Sequence, residues 1–183
     1  QEIRTRWMGP DRRDVAYKFV RKQVGQGRQA FIVCPLIEES ESIQARAAKV
    51  EHERLSAEVF PELRLGLLHG RMALSEKERV MEAFKKGDLD ILVSTPVVEV
   101  GIDIPNASVM LIDGAERFGL AQLHQFRGRV GRGEHESFCL LLTEAAGNEA
   151  RERVRTVERV SDGFQLAEED LRLRGAGDYL GTR

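Results

Sequence analysis

Cysteine is nearly missing from this chain: two residues in 183, Cys34 and Cys139, set in separate apolar runs with no CxxC spacing. Such thiols read as buried and unpaired, which excludes a disulfide framework and points to a reducing compartment. No apolar run approaches the ~18 residues of a membrane span, and the start, QEIRTRWMGP, has no signal-peptide core. A soluble, cytoplasmic chain with no membrane partner is expected. Neither sign of charge is in excess, with 28 Lys+Arg against 30 Asp+Glu and a net charge of -2, so any surface for a polyanion must be local. None of the four histidines pairs with Cys, Asp or Glu at a ligand spacing, so no metal held by the chain itself is expected. A GxSxG nucleophile turn is absent, which argues against nucleophilic hydrolysis. So are a G-x-x-x-x-G-K-[ST] phosphate loop and an Asp-Glu pair to hold magnesium. A chain so equipped cannot bind and hydrolyse a nucleoside triphosphate alone. It can complete a site whose other half lies elsewhere.

What is present is an alternation. Short apolar runs recur at Ala30 to Ile37, Leu63 to Gly70, Leu89 to Val98, Ser108 to Ala115 and Ser137 to Thr143. Between them lie stretches long enough for helices, such as Asp11 to Val24 and Glu41 to Phe60. Ser75, with Glu78 three residues on, reads as a capping box opening a third helix whose apolar face is Val80, Ala83 and Phe84. Near-continuously apolar strands alternating with helices predict an α/β fold, a parallel sheet with helices on both faces, and ligands of such sheets sit beyond the carboxyl ends of the strands. After Thr143 the pattern changes to two charged helical stretches broken at Ser161 to Gly163. The division expected is a sheet domain over 1–145 and a helical hairpin over 146–183. The glycine-rich tail GAGDYLGTR stops abruptly and reads as a break inside a longer chain.

The most informative stretch is QFRGRVGR, Gln125 to Arg132. At 100° per residue, Gln122, Gln125, Arg129 and Arg132 fall within about 80° of one another, and Leu120, Leu123, Phe126 and Val130 form the opposite, core-facing stripe. An amphipathic helix is expected through the whole stretch. Gly128 and Gly131 would each cost it about 1 kcal/mol relative to alanine, so close approach of a ligand is the expected reason for them. Two permanently charged guanidiniums beside bare backbone suit the phosphates of a nucleotide; the alternative is a solvated arginine face. Thr95, Gly101 and Asp103 follow the strand ILVSTP. There a hydroxyl can bond a backbone phosphate and a carboxylate can accept from a ribose hydroxyl, or the segment is an ordinary loop. His69, in HGRM, ends another strand and either touches a phosphate or caps the helix that follows.

Taken together these segments resemble the second RecA-like motor domain of superfamily 2 helicases. QFRGRVGR resembles their motif VI, STPVVEVGIDIP their motif V, and FIVCPLIEES with LLHGRM the motif IV region. DEAD-box helicases usually carry His where Gln125 stands and match less well. PLIEESE, HGRM, QFRGRVGRGEHESFCLLL and DGFQLAEEDLRLRGAGDYLGTR resemble the RecG family of bacterial fork-remodelling helicases, over nearly the whole chain from about Arg4. Transcription-repair coupling factors share the hairpin, and the GTR at Gly181 to Arg183 favours the former. The resemblance implies a RecA-like domain of the phosphate-loop NTPase type that lacks the phosphate loop, serving as the C-terminal motor half of an ATP-dependent translocase on branched or double-stranded DNA in the bacterial cytoplasm, at the nucleoid. Arg129 and Arg132 then correspond to the arginines that reach the γ-phosphate, ordered by Gln125. Gly101, Asp103, Gly128 and Gly131 correspond to nucleotide contacts, and Thr95, His69 and Gly70 to DNA-backbone contacts. Arg155, Arg159 and Arg174 belong to a coupling hairpin. ATP and Mg2+ are held mainly by the absent first motor domain, which with a wedge domain would be the partner within the same protein. Alternatives are the motor half of a coupling factor, a non-enzymatic nucleic-acid-binding module, or an RNA-directed motor.

Overall fold

The computed structural model describes residues 3–96, 104–131, 133–144 and 152. Six strands make one sheet in the order β1-β6-β5-β2-β4-β3. They are β1 (Ile3–Met8), β2 (Gln29–Val33), β3 (Leu65–Leu68), β4 (Ile91–Ser94), β5 (Ala107–Asp113) and β6 (Ser137–Leu142). Every neighbouring pair is parallel. Five of the six coincide with the apolar runs read from the sequence, β2 and β5 each starting one residue before their run. The sixth, β1, was not anticipated, because an edge strand need bury only one side and IRTRWM alternates charge with bulk.

Among the described residues four α-helices cover the sheet: α1 (Arg13–Gly25), α2 (Glu41–Arg54), α3 (Leu74–Lys85) and α4 (Leu120–Arg127). The strand period of two decides which side chain meets which helix. Ala30 and Ile32 of β2, with Cys34 just past its end, join Ala16 and Val20 of α1 and Ala48 of α2 in one buried cluster. Phe31 and Val33, one residue out of phase, join Phe84 of α3 and Leu123 and Phe126 of α4 in the other. Phe31 and Phe84 meet edge-to-face with ring centroids 5.1 Å apart, the arrangement that aromatic quadrupoles favour. Buried polar groups are placed where backbone needs them. The Gln29 amide donates to the carbonyls of Phe84, in the last turn of α3, and Leu89, in the segment leading to β4, both at 2.7 Å, and so ties the two together.

Three expectations about helix ends are corrected. Helix α3 starts at Leu74 with Ala73 as its N-cap and no side-chain cap. Ser75 therefore already lies inside the first turn and forms no capping box. The stretch read as one helix over Glu41 to Phe60 is α-helical only to Arg54 and widens to a π turn over Leu55–Val59, closed by the Phe60 amide donating to the Leu55 carbonyl at 2.7 Å. The extra residue per turn lets both Leu55 and Phe60 reach the core, where neither is exposed. The third correction concerns α4.

Helix α4 ends at Arg127, and Gly128 is its C-cap, so the helix does not run on to Arg132. The stripe is nonetheless real: Leu120, Leu123, Phe126 and Val130 are all buried. Gly131 adopts φ 83°, and a Cβ there would lie 2.7 Å from Cγ1 of Ile3. Glycine is required at this position by the turn and by the packing on β1, which a side chain would block. At Gly128 the backbone is right-handed helical, and an added Cβ would only reach ordinary contact, 3.4 Å, with the Gln125 carbonyl oxygen.

Both cysteines are buried, and burial pushes each thiol up to about 12. Since the thiolate is the reactive species, a thiol reagent at neutral pH is expected to label neither in the native protein and both in denaturant. Labelling of the native protein on the timescale of a free thiol would contradict the packing around β2 and β6.

Candidate nucleotide and nucleic-acid site

The carboxyl ends of β3 and β4 lie side by side, and they bring two of the predicted residues together. The Thr95 amide donates to the Leu68 carbonyl at 3.0 Å, which sets Thr95 next to the residue preceding His69. Thr95 is 1% exposed, and its hydroxyl Oγ1 has no hydrogen-bond partner among the described residues. A buried hydroxyl left unbonded costs about 1 to 3 kcal/mol, so its placement at the strand end favours a role toward an acceptor supplied from outside. The neighbouring Ser94 hydroxyl is engaged, donating to the Thr95 carbonyl at 2.8 Å.

His69 is 6% exposed. Its Nδ1 accepts the Arg71 amide at 3.1 Å, which leaves the proton of the neutral ring on Nε2. Burial, and then the charge of Lys49, lowers its pKa. The ring is therefore a neutral Nε2–H donor at neutral pH. It serves the turn that follows β3, and α3 has its own N-cap at Ala73, so His69 does not cap that helix. Gly70 faces the Glu41 carboxylate at the start of α2, which a Cβ would displace.

The arginine loop approaches from the other side of the strand ends. Gln125 is exposed on α4. Arg129 follows the helix end, its amide donating to the Phe126 carbonyl at 3.1 Å. Its side chain lines a void of about 20 Å3 together with Ser94, Val33 and Leu92. Arg129 thus shares a small void with Ser94, the last residue of β4. Gly101, Asp103 and Arg132 lie outside the described residues, as do Arg155, Arg159 and Arg174 and the hairpin expected over 146–183.

Three residues of this region escaped the sequence reading. Arg127 is 6% exposed and its Nη2 donates to the Ile3 carbonyl at 3.4 Å. Its signal was available, because a residue seven beyond Leu120 shares the core face of a helix. Asp113, at the end of β5, accepts two hydrogen bonds from Arg13 on α1, both at 2.8 Å, and this pairing raises the Arg13 pKa. Gly133 packs its backbone against Pro105, leaving no room for a Cβ beside the Pro105 carbonyl. Among the described residues no group of three His, Cys, Asp or Glu is placed to hold a metal ion, and no helix is long and apolar enough to cross a membrane. A groove of about 590 Å3 along β1 and the start of α1 contains none of the predicted site residues.

The family model of the helicase conserved C-terminal domain matches residues 12–134. The ATP-dependent DNA helicase RecG of Synechocystis is 51% identical over 183 residues, which is 100% of this chain and 22% of that protein. The protein of the same name from Thermotoga maritima is 53% identical over 183 residues, again 100% of this chain and 24% of the relative. A solved structure of RecG bound to a three-way DNA junction superposes with a TM-score of 0.81 at 51% identity, covering 98% of this chain and 23% of that one. The chain thus spans under a quarter of the length of these relatives. It belongs to the helicase conserved C-terminal domain family, and its relatives there at about half identity are ATP-dependent DNA helicases RecG.

Proposed function

We propose that the chain is the C-terminal motor half of an ATP-dependent double-stranded-DNA translocase that remodels branched DNA, including stalled forks and recombination intermediates. The observation that carries this reading is that the carboxyl ends of β3 and β4 bring together the Thr95 hydroxyl, buried and unpartnered among the described residues, and the neutral Nε2–H donor of His69, while Arg129 lines a small void with Ser94 on the other face of β4. A cation and neutral donors on the two faces of one strand end suit two phosphate chains of different kinds. Arg129 and Arg132, ordered by Gln125, act on the γ-phosphoryl. A positioned guanidinium that stabilises charge developing there contributes roughly 10³ to 10⁵ in rate in related NTPases. Gly101 and Asp103, with Gly128 and Gly131 shaping the loop, line the nucleotide side. Thr95, His69 and Gly70 hold the DNA backbone, which positions the strand without reading its sequence.

ATP is the substrate of this reading and Mg2+ its cofactor. The donors for Mg2+ belong to the first motor domain, since this chain has no phosphate-loop Ser/Thr and no Asp-Glu pair. This chain's own contribution is to present arginines across the cleft and to grip DNA, so that closure is favoured only while the γ-phosphate bridges both halves. The segment 146–183, with Arg155, Arg159 and Arg174, carries the coupling hairpin, and the wedge domain of the intact protein engages the junction.

The test compares two preparations. The full-length protein is expected to hydrolyse ATP with stimulation by forked DNA and to unwind the fork, whereas the isolated chain is expected to turn over no ATP. Turnover by the purified chain near the full-length rate would overturn the division of labour. A full-length protein inert toward ATP and branched DNA would overturn the function itself.

A further inference from the structure

Glu41, the first residue of α2, sets a carboxylate against Gly70, among the groups read above as a grip on DNA. A Cβ on Gly70 would overlap Oε1 of Glu41 and stand 2.9 Å from its carboxyl carbon, so glycine is what leaves the carboxylate its place. Glu41 is exposed, and among the described residues it makes no hydrogen bond or ion pair. Its charge is uncompensated. Its mount, by contrast, is fixed: the Ser40 hydroxyl caps α2 by accepting the Ile43 amide at 3.1 Å. Gln44 ties the same turn of the helix to the segment leaving β2, accepting the Ile37 amide at 2.7 Å and donating to the Pro35 carbonyl at 3.0 Å. The carboxylate is thereby held beside the turn after β3, one residue from His69. Most charges that bear on the His69 ring are positive, Lys49 on α2, Arg71 in the turn and Lys77 on α3, with Glu76 opposing them. Glu41 brings a negative charge onto the turn itself.

We propose that Glu41 is a grip-limiting residue for the tracked DNA strand: its fixed negative charge opposes the phosphate held by Gly70, His69 and Thr95, and so lets the strand go in each cycle. The inference rests on the functional reading above, which assigns those three residues to the DNA backbone. A translocase must bind each phosphate and also release it. Phosphate contacts supply most of the sequence-independent affinity for DNA, and differences in affinity show mainly in dissociation, while release steps set many turnover rates. A like charge held close to the bound phosphate weakens the grip without removing a donor. A negative charge at the amino end of α2 also favours the helix. That service acts on stability, and it does not require the carboxylate to rest on Gly70.

The test uses the full-length protein, with fork affinity measured by anisotropy at low salt and the unwinding rate measured on the same preparation. Glu41→Gln keeps the side chain's size and removes its charge, whereas Glu41→Asp keeps the charge. Glu41→Gln is expected to bind the fork about fivefold more tightly and to unwind it about twofold more slowly or worse. Glu41→Asp should stay near wild type in both. Unchanged or weaker fork binding by a folded Glu41→Gln protein overturns the proposal, as does equal tightening by Glu41→Asp, which would make shape and not charge the cause. Tighter binding with unwinding unslowed overturns the role in release. A Glu41→Gln protein that does not fold makes the residue structural and overturns it too. Thr95→Ala separates this failure from that of the functional reading. If Thr95→Ala weakens fork binding and Glu41→Gln does not strengthen it, only the grip-limiting role falls; if Thr95→Ala leaves fork binding unchanged, the assignment of the site to DNA falls, and the role of Glu41 with it.

Discussion

Replacing Arg129 or Arg132 with alanine in the full-length protein is expected to lower ATP hydrolysis by roughly 10³-fold or more while leaving DNA affinity nearly unchanged. The argument is one of charge and timing. A guanidinium aimed at the γ-phosphoryl gains most of its interaction as charge develops in the transition state, so its loss shows in kcat and kcat/KM together and little in ground-state binding. Lysine at either position should not restore the rate, because an ammonium cannot reproduce the planar fork. Single-turnover ATP hydrolysis and fork binding measured on one preparation decide the matter. A parallel fall in DNA affinity would reassign the arginines to the DNA backbone.

Asp113→Ala is expected to destabilise the domain by about 3 kcal/mol, because it strands Arg13 against the end of β5. The aspartate side chain is 6% exposed and Arg13 29%. The arginine keeps one hydrogen bond, Nη1 to the Tyr17 hydroxyl at 3.1 Å, and some access to water, which holds the effect near the lower end for a broken buried pair. A melting temperature lowered by roughly 6 to 12 °C would follow for a domain of this size. Removing both charges, as in Arg13→Met with Asp113→Leu, should recover most of the loss, since a buried pair and a well-packed apolar pair are close in net stability. Equal melting of the single variant and the wild type would show that the pair adds nothing beyond what water already supplies.

The sheet was legible because parallel strands covered on both faces must be apolar throughout. The runs at Phe31, Leu92 and Met110 have no other plausible reading. β1 was hidden by its edge position, where Arg4 forms an exposed ion pair with Glu136, the residue before β6, at 53% and 51% exposure. The core stripe of α4 was read correctly although its helix was drawn too long, because Val130 reaches the core from a turn as well as it would from a helix. Composition alone cannot tell the two apart. The glycines illustrate the deeper limit. Gly131 answers to Ile3 and Gly133 to Pro105, partners distant in sequence that no local pattern reveals. His69 was placed correctly at a strand end, but which ring nitrogen carries the proton depends on the Arg71 amide, a matter of turn geometry.

β1 also determines when, during synthesis, the domain becomes competent. Among the described residues β1 is the first strand in the sequence, yet its neighbour in the sheet is β6, the last of the six. The half-sheet of β2, β4 and β3 has all its segments available once Ser94 has been added, whereas Ile3 and Arg127 must find each other across 124 positions. Such long closures are slow steps in folding. Because Arg127 and Gly131 both lean on Ile3, the arginine loop acquires its final shape only when that last closure is made. A nascent or terminally clipped chain can hold most of its sheet and still lack a finished arginine loop, so the shape of that loop reports whether the domain is whole.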